Sequence, residues 1–180
     1  MTRIEIPTLR TTRLVLRALR ADDLDGLAAM QADPEVMRYL GAGATRTRQE
    51  TWDGIARMLG QWALRGFGMF AIEEAATGRF AGRAGVLYPL PWPEPELAYG
   101  LDRPFWGQGL VTEAGIAIRD WAFATLGLPK LASFILPDNA ASAAVARKLG
   151  AVRTGTITLL GLEAERWEHR PDGARGAAAS

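Results

Sequence analysis

Residues 103–114 read RPFWGQGLVTEA, and two glycines stand immediately before a segment with helical periodicity. A helix start leaves its first N–H groups without intrahelical acceptors, and the aligned peptide dipoles add partial positive charge there. Gly107 and Gly109 carry no side chains, so the backbone can approach a ligand closely, and successive N–H groups can form a nest for a phosphate oxyanion. The same glycines also suit a plain strand-to-helix turn, which is the simpler reading of this stretch taken alone. The spacing is not GxGxxG, because Thr112 occupies the last position, and no Gly-Lys-Ser/Thr follows. A dinucleotide fingerprint and a P-loop are therefore both excluded.

A second segment, PDNAASAAVARKLGA at 137–151, puts Asn139 where a helix N-cap would stand and Ser142 three residues on, facing the same side. Alone it reads as a capped helix. The two segments flank one strand–helix–strand crossover, ELAYGLD, then 109–127, then LASFI. Such a crossover is parallel and right-handed. Both helix starts then open near the carboxyl ends of adjacent strands, where open α/β sheets bind ligands.

The elements around the crossover follow from periodicity. Residues 13–19, RLVLRAL, alternate with Leu14, Leu16 and Ala18 on one face and Arg13 and Arg17 on the other, as a strand. ADDLDGLAAMQAD predicts a helix ended by Asp33-Pro34, and PEVMRYLG a short turn-helix. Trp52, Ile55, Leu59 and Trp62 recur at helical spacing over 47–66, which predicts core packing for both tryptophans. A hairpin over 68–90 turns at Thr77-Gly78, PWPEPE is a proline-rich loop, and Gly100 predicts a bulge or close backbone approach in the strand after it. LASFI is a short buried strand, and 151–170 a final strand pair. The count is seven strands, mostly antiparallel, with about four helices.

The length of 180 residues suits one domain, expected over 1–170, with PDGARGAAAS at 171–180 as a disordered tail. Lys plus Arg number 21 against 20 Asp plus Glu, a balance that argues against affinity built on neutralising a nucleic-acid backbone. With no cysteine, thiol nucleophiles and Cys-ligated zinc are absent, and the single histidine, His169, excludes any site needing two. A Ser-His-acid triad is not expected from His169 in RWEHRP. No apolar run spans a bilayer and no signal-peptide stretch opens the chain, so the expected compartment is the cytosol, without a membrane partner.

Three ordered stretches resemble one family: TTRLVLRALRADDLDGL, ELAYGLDRPFWGQGLVTEA and LPDNAASAAVARKLGA. The sequence resembles the GCN5-related N-acetyltransferases, and within them the Rim-type branch of ribosomal-protein N-terminal acetyltransferases, over about residues 9–170. The resemblance implies an α/β fold with a twisted mixed sheet whose strands four and five splay apart to hold acetyl-coenzyme A. It implies that backbone N–H groups of Trp106, Gly107, Gln108, Gly109, Leu110, Val111 and Thr112 bind the pyrophosphate. It places the pantetheine arm on strand backbone near Tyr99 and Leu101, with Asn139 and Ser142 on the opposite wall.

The implied reaction is direct acetyl transfer to a primary amine, of a protein N-terminus or a small molecule, with acetyl-CoA as cosubstrate and no metal. Glu96 then stands where many relatives carry the base, an exposed strand-edge glutamate being the structural alternative, and Glu94 is the second candidate. Ser142 is the candidate acid for the departing thiolate, with capping or cofactor contact as equal accounts of it. An N–H near the Gly100 bulge is the expected oxyanion donor. Three residues depart from the family pattern: Val111 in the loop, Ala146 where many members carry a tyrosine acid, and Ala151 in place of Phe. Met37, Tyr39, Arg46, Arg48, Trp52 and Trp92 are candidate acceptor-lining residues, and Trp92 could instead form a lid or a dimer contact. A monomer or homodimer is expected. The alternative function is a non-catalytic acyl-CoA-binding module on the same fold, for which Glu96 and Ser142 would be dispensable.

Overall fold

The strand expected at 13–19 forms as β2 (Leu14–Arg17), and all four of its residues are buried. Its polar face is not solvated: Arg17 is enclosed and pairs with Asp23 at 2.8 Å and Glu73 at 2.7 Å. Clean alternation fails here because both faces of the sheet are covered, and a buried guanidinium then needs carboxylate partners. The computed structural model describes residues 4–171, so the tail expected to be disordered falls, apart from Pro171, outside the described residues.

The sheet has eight strands rather than seven, in the order β1-β2-β3-β4-β5-β6-β8-β7. The added strand, β1 (Leu9–Arg10), has two residues and pairs Leu9 with Leu16, too short for any periodicity to announce it. The others are β3 (Met69–Glu74), β4 (Phe80–Leu87), β5 (Glu96–Leu101), β6 (Leu131–Ile135), β7 (Val152–Leu159) and β8 (Leu162–His169). Among the described residues only β5 and β6 run parallel, at the place where the resemblance puts strands four and five. Five helices flank the sheet: α1 (Leu24–Ala32), α2 (Pro34–Met37), α3 (Arg48–Arg65), α4 (Leu110–Leu126) and α5 (Ala140–Lys148). Among the described residues no helix is long and apolar enough to cross a membrane.

Each helix has a local cause. Asp33 accepts from the Glu35 N–H at 2.9 Å and so restarts the chain as α2 after Pro34. Thr47 and Glu50 form a capping box that opens α3, and Gly66 closes it in the left-handed conformation. The larger core lies between the sheet and α4, where Leu14, Phe70, Val86, Leu97 and Ile118 are buried. Trp62 joins it, its ring 5.0 Å from Phe70 and 5.8 Å from Trp121. Trp52 does not pack inward and remains 45% exposed, so helical spacing identified only one of the two as core. A second core gathers Leu27, Met30, Val36, Ile55 and Ala71 beneath α1–α3.

Gly100 marks no bulge. The β4–β5 register runs unbroken from Gly82↔Leu101 to Leu87↔Glu96, and the irregularities fall at Ile72/Glu73 and Arg153/Gly155 instead. The close approach comes from the neighbouring strand: a Cβ on Gly82 would lie 2.3 Å from the Gly100 carbonyl oxygen, and one on Gly85 2.2 Å from that of Gly68. Gly85→Ala therefore forces β3 and β4 apart and should lose about 1–3 kcal/mol in urea unfolding. Gly60→Ala, in open space within α3, should instead gain about 0.5–1 kcal/mol.

Candidate active site

The ladder between β5 and β6 has one rung, Glu96↔Ala132, in which the Ala132 N–H donates to the Pro95 carbonyl at 2.9 Å. In a regular parallel pair the next bond would run from the Phe134 N–H to the Leu97 carbonyl. Two side chains take those places. Ser133 Oγ donates to the Leu97 carbonyl at 2.9 Å, and the Phe134 N–H donates to Glu96 Oε1 at 3.4 Å. The strands separate beyond this point with their polar groups satisfied, as burial demands.

On β5 the Asp102 N–H donates to the Ala81 carbonyl, so the antiparallel alternation turns the N–H and C=O of Tyr99 and the N–H of Leu101 away from β4, into the gap. The Leu101 carbonyl is occupied by Trp106 Nε1 at 2.8 Å. The opposite wall is the start of α5. Asn139 caps it, accepting from the Ser142 N–H at 3.1 Å. Across the gap the Tyr99 hydroxyl donates to the Ser142 carbonyl at 3.2 Å, and burial pushes that phenol well above its ordinary pKa.

After β5 the loop winds into α4. Gly107 and Gly109 both adopt the left-handed conformation, with φ of 73° and 75°, so the turn itself requires them. A Cβ at Gly107 would meet nothing within 4 Å, and one at Gly109 only Arg13 Nη2 at 3.8 Å, so the space beside them is open. The Trp106 N–H is engaged with the Arg103 carbonyl at 3.0 Å and is not available to a ligand. From Gly107 through Thr112, no backbone N–H donates to another described residue, and the first helical bond comes from Glu113 to Gly109. Leu110 is buried and Val111 packs against the α4 core, so neither side chain crowds the nest.

Arg13, read from sequence only as a strand's polar face, supports this loop. It donates to the Gln108 carbonyl at 2.9 Å and to Glu113 Oε2 at 2.7 Å, while Thr11 donates to Glu113 Oε1 at 2.6 Å. A lone arginine before a strand carries no pattern that could have announced that role.

Glu96 stands at the throat of the V. Trp92 Nε1, from the proline-rich loop, donates to its Oε2 at 2.6 Å. Burial pushes the carboxyl up to about 7 from its usual 4.5, with Trp92, the Phe134 N–H and the Arg83 charge pulling the other way. Glu94 is unlike it: Arg166, then Lys130 at 3.0 Å, hold its carboxyl below the usual range, which makes it a poor proton acceptor. His169 is buried against Ser133, 3.0 Å from its Oγ. The single hydroxyl proton of Ser133 goes to Leu97, so His169 donates from Nε2 and its Nδ1 has no partner. No acid backs the ring and burial lowers its pKa to about 4, so the pair is structural and no triad exists.

Glu96, Tyr99, Asn139 and Ser142 line one cavity of about 1050 Å³, with Met37, Tyr39, Arg46 and Trp92. Leu101 and the 106–112 loop lie outside its lining. Arg48 pairs with Asp25 on the surface, and Trp52 points away. Ala146 is fully buried with Ala151 and Trp167, so no hydroxyl takes the tyrosine's place on α5. Among the described residues no three His, Asp or Glu side chains gather as a metal site would need.

A family model for the acetyltransferase (GNAT) domain matches residues 13–152. The chain belongs to the GNAT acetyltransferases. An Aspergillus fumigatus relative, FsC-acetyl coenzyme A-N(2)-transacetylase, is 31% identical over 165 residues, 84% of this chain and 67% of that protein. The crystal structure of an acetyltransferase from Agrobacterium tumefaciens superposes with a TM-score of 0.81 at 32% identity, covering 95% of this chain and 98% of that one. A ribosomal L7/L12 alpha-N-protein acetyltransferase in complex with coenzyme A shares the fold, with a TM-score of 0.78 at 20% identity over 92% and 99% of the two chains.

The environment of Glu96 has a consequence for stability. The folded state holds the carboxyl proton more tightly than the unfolded chain does, so stability falls as pH rises from about 4.5 to about 7 and the penalty is full above that window. Glu96→Gln should raise the melting temperature at about pH 8.5 and change it little at about pH 4.5, as differential scanning calorimetry would read.

Proposed function

We propose that this chain is an acetyl-CoA-dependent N-acetyltransferase of the Rim-type branch, formed by a single domain over 1–170. The observation that carries the reading is a carboxyl poised near neutrality, Glu96, at the throat of a gap whose walls offer unpaired backbone groups. A general base works best when its pKa lies near the operating pH.

The open N–H groups from Gly107 to Thr112 would hold the pyrophosphate at the start of α4, and Arg13, paired with Glu113, braces the loop through the Gln108 carbonyl. The pantetheine arm would pair with the Tyr99 N–H and C=O, completing the ladder that β6 leaves open. The thioester then faces Ser142, and the amine enters from the side of α1–α3. The amine nitrogen forms a bond to the carbonyl carbon, the C–S bond breaks, and the ammonium proton passes to Glu96, directly or through water. The Leu101 N–H faces the gap and is a candidate donor to the oxyanion, in place of one at a Gly100 bulge. Ser142 passes its hydroxyl proton to the departing thiolate and takes one back from solvent, with the Tyr99 hydroxyl fixing its backbone from across the gap. The neighbour with coenzyme A bound and the transacetylase relative support this donor, and the three ordered sequence matches support the branch. A binding module would need the cradle and Asn139 but has no use for a carboxyl held near pH 7.

Two variants separate the parts. Gly109→Asp can keep its left-handed backbone while placing a carboxylate beside the nest. It should weaken acetyl-CoA binding by about tenfold or more in calorimetry, and an unchanged affinity would remove the loop assignment. Glu96→Gln should lower kcat by about 10²–10⁴ and abolish the rise in rate centred near pH 7, leaving only the limb set by the acceptor's own amine. Persistence of the wild-type profile would place the base elsewhere.

A further inference from the structure

The cavity is strongly unbalanced in charge. Arg46, Arg57, Arg65 and Arg83 line it, and Glu96 is the sole carboxylate in its lining. Arg65 lies over the Tyr88 ring, 4.3 Å from its centroid. The other three have no carboxylate within 4.0 Å among the described residues, although this chain pairs many of its arginines. Glu50 and Asp53 share a second cavity with Arg46 and Arg57, and their hydrogen bonds go to Thr47 and Gln49; the Arg46 charge acts on Glu50 without a direct ion pair.

Arg83 is the most telling of them. It projects from β4 on the face that also carries Ala98 and Glu96, as the register Arg83↔Gly100, Gly85↔Ala98 and Leu87↔Glu96 requires. Its Nε is buried without a hydrogen-bond partner, and Nη1 has only the Met58 sulfur at 4.0 Å. Burial, reinforced by the charges of Arg46 and Arg57 and only partly opposed by Glu96, lowers its pKa to about 10, so the fold holds it there at a cost. The α4 start and its nest lie on the opposite face, and the donor's phosphates do not account for it.

We infer that Arg83, with Arg46 and Arg57, binds an oxyanion carried by the acceptor itself, so that the acceptor is a primary amine bearing a carboxylate or phosphonate-like group. The inference rests on the acetyl-transfer reading and names the acceptor class for that site. Glu96 takes the ammonium end while the guanidiniums take the anionic end, each compensating a buried charge. Polyamines and aminoglycosides, which bring further positive charge, meet like charge in this cavity.

The test uses amines paired so that one end differs only in charge: amino acids from glycine to 6-aminohexanoate against their carboxamides, with 2-aminoethylphosphonate as the phosphonate arm and spermidine as the polycation. Free-thiol release measures turnover, and calorimetry measures binding of the unreactive N-acetyl acids and their amides in parallel. The best acid or phosphonate should exceed its neutral partner by about tenfold or more in kcat/KM, mainly through KM, with spermidine poorest. Arg83→Met should collapse that ratio towards one, and Arg46→Met should reduce it. Wild-type turnover of amides or spermidine as good as that of the anions overturns the inference while leaving acetyl transfer standing. If none of these amines is turned over, equal binding of the N-acetyl acids and amides overturns the anion site and tighter binding of the acids supports it, while free-thiol release with peptide N-termini tests acetyl transfer itself. Glu96→Gln, which should depress kcat for acid and amide alike, keeps the base assignment separate from the charge assignment.

Discussion

The molecule is organised by a β-ladder that stops after one rung. Parallel strands joined by a helix ordinarily continue to pair, because an unpaired buried N–H or C=O is costly. Here β5 and β6 part after Glu96↔Ala132, and the two backbone groups that would have met are satisfied by the side chains of Ser133 and Glu96. Ser133 in turn is backed by His169 from β8, so the last strand of the chain helps to hold the opening. Beyond that point the Tyr99 backbone groups face a gap. An extended ligand can enter there as a missing strand would.

The same arrangement fixes the electrostatics. Glu96 ends the ladder and is drawn into an apolar throat, where Trp92 and the Phe134 N–H only partly offset its desolvation. One carboxylate therefore has both a structural and a proposed chemical role. Glu94, two residues earlier, is tied to Arg166 and Lys130 and keeps its charge. Two glutamates on one short stretch thus differ in proton affinity because one is held in direct ion pairs while the other is buried, with the Arg83 charge opposing its desolvation only weakly.

The crossover, the glycine turn and the Asn139 cap were legible in the sequence because each depends on local rules: periodicity, positive φ and capping; Glu96 was singled out by the resemblance alone, and its burial had no local sign. What stayed hidden is non-local. Arg13 reaches Glu113 across about a hundred positions, Ser133 pairs with His169 across 36, and β1 is too short to have a period. Arg17 looked solvated because alternation cannot reveal a covered face, and Gly100 looked like a bulge because sequence does not show that the tight approach belongs to Gly82. Arg83 sits in an ordinary strand, and only the shared cavity gives it significance. Trp52 and Trp62 shared one helical pattern, yet only Trp62 faced the core.

The two halves of the site are made of different material. The proposed donor half would consist of main-chain groups, at Tyr99 and from Gly107 to Thr112, and asks of its side chains little beyond two glycines. The proposed acceptor half would consist of side chains from α1–α3, the proline loop, β4, β5 and the β7–β8 pair. Substitutions accumulate easily in the second without disturbing the first. A lineage built on this frame can therefore exchange one acceptor for another by ordinary point mutation, while its dependence on the same donor is inherited through the course of the backbone itself.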